Sequence, residues 1–270
     1  MKLLNSAINF IFTITSQRSL ISSLAKREVR AQYRGSVLGF LWTIINPLIM
    51  IGVFWFVFSV GFKARPMGDV PFVVWLTAGL SVWMFFSEIV LGSTEIIIQN
   101  SQLIKKTLFR SQILPLVKIL SSLLTHAIFI VILSGLILFE GLPLSWYFLQ
   151  ITYYLFAASV LALGLSWLTS SLTVFIRDIG KITAVLMQIG FWSTPIFWDI
   201  SIMESPKIQA ALRMNPMFYI VQGYRDSFIY FVPFWERSEE TINFWCFAII
   251  LLVVGGMVFH RLKPHFADVL

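Results

Sequence analysis

Arg27, Arg30 and Arg34 recur at i, i+3 and i+7, one stripe of a helix, with Lys26 beside them. A basic stripe of this kind can dock an anionic lipid headgroup such as a diphosphate. Each charge held near an anionic leaflet is worth about 1 kcal/mol. The same residues also serve a simpler role, anchoring a cytoplasmic segment by its positive charge, and spacing alone leaves both readings open. Two further ionisable groups fall inside apolar stretches: Glu88, about one and a half turns from an inner end, and His126, mid-stretch. Buried ionisable groups at membrane depth are costly and mark either pairing or a proton path. Glu88 has Lys118 and Arg110 as candidate partners.

Other chemistry is excluded. No H-E-x-x-H, G-x-S-x-G or G-x-x-x-x-G-K-[ST] pattern occurs, so the chain has no phosphate loop with which to hydrolyse ATP. Glu239-Glu240 is the one acidic pair, with no histidine spaced beside it. Cys246 is the only cysteine, which rules out a disulfide framework or a cysteine metal site within one chain.

The elements that must position these groups are apolar. Of 270 residues, 58% are hydrophobic and only 12% charged, and mean hydropathy is +0.84. A soluble domain carries roughly 25% charged residues. Six hydrophobic stretches stand out, at about Val37–Gly61, Phe72–Gly92, Leu114–Phe139, Trp146–Val174, Ile182–Phe197 and Ile242–His260. All must be helical, because lipid satisfies no backbone polar group. The expected fold is therefore all-α, an integral membrane domain of six transmembrane helices over residues 37–270, preceded by an amphipathic segment over 1–36. Placing the N-terminus inside puts 14 of the 20 Lys and Arg in cytoplasmic segments and 6 outside, with acidic residues divided 4 inside and 8 outside. The positive-inside rule then sets both termini in the cytoplasm. The isoelectric point near 9.7 follows from this topology and needs no nucleic-acid partner. Asn5, Ser6, Asn9, Thr13 and Gln17 interrupt the N-terminal stretch, which has no small-residue cleavage site, so no cleavable leader is expected.

Three segments between the spans are unusual. In the first, Ile8, Phe12, Leu20 and Leu24 alternate with polar residues, as an interfacial helix requires. In the second, 93–113, Thr94 can cap a helix with Glu95 in its first turn. Ile97, Ser101, Ile104 and Leu108 then share one face, and Gln102, Lys106 and Arg110 the opposite one. Such a helix either lies on the membrane or fits a groove on a cytosolic partner. The third is the outer region. The fifth span is short and runs into Ser193-Thr194-Pro195, and a second apolar piece, Met217–Trp235, holds Gly223, Arg225 and Asp226 between Pro216 and Pro233. These are either re-entrant segments buried in protein or interfacial helices with Trp and Tyr at the headgroups. Aromatic residues make up 16% of the chain. Most fit an interfacial belt, and flat ring faces could also stack on the sugars of a sliding polymer.

The run Lys26-Arg27-Glu28-Val29-Arg30-Ala31-Gln32-Tyr33-Arg34-Gly35-Ser36-Val37-Leu38-Gly39-Phe40-Leu41-Trp42, followed by Asn46-Pro47, closely resembles the N-terminal signature of permease subunits of ABC exporters for cell-surface polysaccharides. Asn100 to Lys106 with Pro115, Phe175 to Ile179, Ser193 to Phe197 with Asn215-Pro216, and Phe266 to Asp268 resemble further family segments in the same order. The wall teichoic acid branch looks closest, with O-antigen and capsule exporters as sister branches. Phe109-Arg110 departs from the Phe-Pro that many members carry.

The resemblance implies a homodimer around a central channel, two cytosolic ATPase subunits that carry the ATP and Mg2+, and no cofactor on this chain. It implies an undecaprenyl-diphosphate-linked polymer as substrate, export across the plasma membrane, and surrounding membrane lipids as the only other partners. Lys26, Arg27, Arg30, Tyr33 and Arg34 would then dock the lipid diphosphate. Glu95, Asn100, Leu103, Ile104, Lys105, Lys106, Phe109 and Arg110 would form the coupling helix to the ATPase. Trp42, Trp75, Trp83, Phe191, Trp192 and Phe197 would line the channel. Two rivals remain: a proton-coupled transporter using Glu88 and His126, and a membrane enzyme acting on a lipid-linked sugar.

Overall fold

The structure is a computed structural model that describes residues 15–63, 70–106 and 109–270. Ile8, Phe12 and Leu108, placed on amphipathic faces above, lie outside the described residues. All regular elements among the described residues are helical. We number them α1 (Arg18–Gln32), α2 (Trp42–Trp55), α3 (Phe72–Thr94), α4 (Ile96–Gln99), α5 (Ser101–Lys106), α6 (Leu114–Phe139), α7 (Ile151–Thr173), α8 (Asp178–Ser193), α9 (Pro206–Arg213), α10 (Pro216–Arg225), α11 (Ser238–Leu262) and α12 (Phe266–Val269).

Prolines and polar caps set several starts. Pro115, Pro206 and Pro216 sit in the first turns of α6, α9 and α10, where a missing N–H costs nothing. Asn215 caps α10, its side chain accepting from the Met217 N–H at 3.0 Å. Within the spans, hydroxyls satisfy themselves on their own helices: Thr77 donates to Val73 O, Thr94 to Val90 O and Thr173 to Thr169 O, all within 2.8 Å.

Five stretches of described helix are long and apolar enough to cross a membrane: Gly39–Gly61, Phe72–Thr94, Ser111–Phe139, Trp146–Thr173 and Phe234–Val269. The remaining expected span, the fifth at Ile182–Phe197, falls on α8, whose 16 residues reach about 24 Å at 1.5 Å per residue, short of a hydrocarbon core of about 30 Å. The helix α3 is the axis of the protomer. Of its apolar window 78% is buried, against 11% for Gly39–Gly61. It packs on α6, α7, α8 and α10, whereas α2 leaves most of its surface outside the protomer.

A close backbone crossing joins α7 to α11 through two glycines. A Cβ on Gly255 would stand 2.1 Å from Gly164 O, and one on Gly164 would stand 2.7 Å from Leu252 N. Small residues that let backbones touch are the usual basis of helix association in lipid. The outer region divides the two readings open from sequence. Helix α10 is buried against α3, α7 and α11, while α9 stays at the surface with no buried residue.

The neighbouring glycine supplies an internal control, since a Cβ on Gly256 would meet the Trp167 ring at an ordinary 3.6 Å. Gly255→Ala should destabilise the purified protein by about 1–3 kcal/mol, the usual cost of overpacking, while Gly256→Ala stays near wild type. Thermal midpoints in detergent check the contrast.

Candidate functional site

On the side assigned to the cytoplasm, α1 lies across the start of α6. Ile21, Leu24 and Ala25 bury against Ile113 and Val117, with Leu103 and Phe109 packed at the edge of that cluster. Arg27 Nη2 donates to Asn100 Oδ1 at 2.8 Å, tying the amphipathic helix to the 93–113 segment. The same Asn100 side chain donates through Nδ2 to Ile96 O at 2.9 Å. Asn100 thus closes the break between α4 and α5 and holds Arg27 with one amide.

Two expectations need correction here. The arginine stripe is not continuous, because α1 ends at Gln32 and the chain turns at Gly35 with φ +80. Arg34 therefore lies in the turn, and Arg27 is already engaged with Asn100. Lys26, Arg30 and Arg34 are exposed and have no carboxylate partner among the described residues. Nor does one amphipathic helix run from Thr94. The preceding span continues to Thr94, whose hydroxyl bonds backward to Val90 and caps nothing forward, and Glu95 is the exposed link to α4. Ile96 and Ile97 are buried, Ile104 is half-buried, and Lys105 and Arg110 are exposed. Lys106 closes α5, and α12 packs back onto that helix with Phe266 buried beneath it.

Between the end of α1, the start of α2, and the facing parts of α3 and α6 lies a cavity of about 380 Å³. Gln32, Tyr33, Ser36, Trp42, Thr43, Asn46, Pro47, Glu88 and Thr125 line it. The turn that displaces Arg34 creates it: Ser36 Oγ accepts from Gly39 N, and Thr43 donates to the Tyr33 hydroxyl, which fixes Tyr33 against α2. Glu88 pairs with Lys118 Nζ at 3.3 Å, the lysine side chain 5% exposed and the glutamate 24%. Gly92 makes the pair possible. A Cβ there would lie 2.3 Å from Lys118 Cε, so the lysine stem crosses α3 in the space that glycine leaves. Of the two partners open from sequence, Lys118 is the one Glu88 takes. His126 makes separate contacts, with Tyr224 at 3.1 Å and against the Phe85 ring.

The six aromatic residues proposed for a channel do not form one wall. Trp75 is buried under Arg225, whose guanidinium carbon lies 3.4 Å from the indole centroid. Arg225 donates to Ile196 O at 2.9 Å and occupies the space beside Gly79. Trp83 is buried against Gly190 and Phe191, and Phe197 against Phe54 and Phe58, with a centroid separation of 4.8 Å to Phe58. These three rings spend their faces inside the protomer. Trp42 and Trp192 remain exposed, and Phe191 is partly so. Phe54 and Phe58, which complete the outer cluster, carry no signal in the sequence beyond their apolar character. Below that cluster's level of detail, Asp226 is held by Arg237, and Glu240 joins Arg237 at 3.2 Å and Arg213 at 3.0 Å.

Removing one partner of a buried ion pair strands the other. Lys118→Met should lower stability by less than the roughly 3–5 kcal/mol of a fully buried pair, because Glu88 keeps some access. The double variant Glu88→Gln/Lys118→Met should recover most of the loss, and thermal midpoints of the four proteins check the cycle.

One family model and three relatives bear on this arrangement. The family model described as "ABC-2 type transporter" matches residues 19–229, from α1 to just past the end of α10. Over 262 residues the chain is 25% identical to the O-antigen export system permease protein RfbA of Myxococcus xanthus, covering 97% of this chain and 99% of that one. It is 28% identical over 255 residues to the protein of the same name from Klebsiella pneumoniae, covering 93% and 95%. It is 22% identical over 258 residues to the polysialic acid transport protein KpsM of Escherichia coli, covering 92% and 95%. With the family model spanning well over half of its length and five helices fit to cross a bilayer, this chain is a multi-pass membrane protein that belongs to the ABC-2 type transporter family.

Proposed function

We propose that this chain is the transmembrane subunit of an ATP-driven exporter that moves a lipid-linked polysaccharide from the cytoplasm to the outer face of the plasma membrane. The observation that carries this reading is full-length similarity to permeases named for O-antigen and polysialic acid transport. That similarity favours an O-antigen or capsule type of polymer. The wall teichoic acid assignment rests on the sequence resemblance alone and finds no counterpart among these relatives.

Two copies of the chain enclose the path, with both termini in the cytoplasm. The poorly buried surfaces of α2 and α8 supply what such a dimer needs. Two cytosolic ATPase subunits bind ATP and Mg2+ and press on α4 and α5, where Glu95, Leu103, Ile104, Lys105 and Arg110 offer a mixed apolar and charged surface. The Arg27–Asn100 bond and the apolar cluster beneath it carry that push into α1. The exposed Lys26, Arg30 and Arg34 hold the lipid diphosphate at the inner leaflet, and Trp42, Phe191 and Trp192 pass the glycan.

Tagged chain purified from native membranes in mild detergent should bring down a stoichiometric ATPase bearing a phosphate loop. A homo-oligomer without one would overturn the reading. Within an assembled complex, Arg30→Ala/Arg34→Ala should cut polymer export. Two charges at about 1 kcal/mol each correspond to roughly thirtyfold in docking, measured as export at unchanged complex yield.

A further inference from the structure

We propose that the cavity beneath the α1 turn is a binding subsite for a neutral pyranose ring, with the Glu88 carboxylate as its anchoring acceptor. The diphosphate to which that sugar is attached stays outside, on the arginines. The inference deepens the exporter reading and rests on it.

The composition of the lining carries the argument. Gln32 and Asn46 contribute amides, each with donors and an acceptor, and Ser36, Thr43, Thr125 and Tyr33 contribute hydroxyls. Trp42, at 38% exposure, offers a flat indole face. The one formal charge in the lining is Glu88, and no lysine or arginine lines the cavity. The nearest cation on that pair, Lys118, is committed to Glu88 at 3.3 Å and nearly closed to solvent. A phosphate placed here would meet a carboxylate with no free cation to balance it. A sugar meets what it needs: carboxyl oxygens for its hydroxyls, neutral groups that both give and accept hydrogen bonds, and an aromatic plane for its apolar face. The volume of about 380 Å³ falls within the roughly 300–1,000 Å³ of small-molecule sites.

Position supports the same division. Arg34 falls between Tyr33 and Ser36, two residues that line the cavity, yet it is exposed and outside the lining. The basic groups and the polar cavity therefore adjoin along one turn without mixing. The Glu88–Lys118 pair also makes sense in these terms. A pair serving only to join α3 and α6 gains from being closed off, whereas Glu88 retains a face on the cavity.

The test compares two soluble probes, farnesyl diphosphate and farnesyl diphosphate carrying one glucose, binding to the full-length protein in its purified complex. Wild type should bind the glucosylated probe at least tenfold more tightly. Glu88→Gln/Lys118→Met, which leaves no unpaired lysine beside the cavity, and, separately, Trp42→Ala should abolish that increment while leaving farnesyl diphosphate affinity unchanged, which also shows that each variant is folded. Arg30→Ala/Arg34→Ala should weaken both probes equally and keep the increment. Equal binding of both probes by wild type, or an increment that survives Glu88→Gln/Lys118→Met and Trp42→Ala, would overturn the sugar subsite alone. Failure of wild type to bind either probe would overturn the exporter reading and the subsite with it.

Discussion

Lipid removes the force that gathers apolar helices in water, since a leucine side chain is as well solvated by acyl chains as by another helix. Association then depends on close backbone approach and on polar groups that find each other. Three of the protomer's contacts meet this constraint by the same means, a glycine on one helix that leaves room for something specific on its neighbour. Gly255 admits the Gly164 carbonyl and joins α7 to α11. Gly79 admits Arg225 and joins α3 to α10. Gly92 admits the Lys118 stem and joins α3 to α6 through Glu88. Two of these three contacts seat a charged side chain along α3, which explains why an otherwise apolar axis carries a glutamate and stacks an arginine on a tryptophan.

Those charged contacts lie at opposite ends of α3. At the outer end Arg225 gives up water entirely, and in exchange takes the Trp75 face and the Ile196 carbonyl. The broken outer region is thereby locked to the longest-buried helix of the bundle. At the inner end the Glu88–Lys118 pair is only partly enclosed and borders a polar cavity. The same device makes a closed clamp in one place and an open site in the other: Arg225 is covered by protein, whereas Glu88 keeps a face on the cavity.

The face expected to lie in the cytoplasm has a different character. Here α1, α4, α5 and α12 are short, and none could hold its place alone, because isolated helices of this length are marginal. They hold one another through a small apolar cluster, the Asn100 amide and the buried Phe266 ring. A surface tied together this way suits the coupling role proposed above, in which a push from the partner would reach the turn above the cavity.

Helix boundaries were legible wherever long apolar runs met prolines or charges. The third span was expected at Leu114–Phe139 and α6 occupies those residues, and Phe72 begins α3 as expected. Those limits follow from hydropathy and the missing proline N–H, which are local properties. The candidate site was legible only in pieces: Tyr33, Trp42 and Glu88 each drew notice for separate reasons, and nothing in their spacing announced a shared cavity. The i, i+3, i+7 count placed three arginines on one stripe because it assumed a helix that Gly35 ends early. The family resemblance made Trp75 and Trp83 channel walls, yet a matching residue type at a matching place in the chain does not say what covers it. Covering is a long-range matter. Arg225 stands 150 positions from Trp75 in the chain, and only the packing of α10 against α3 brings the guanidinium over the indole.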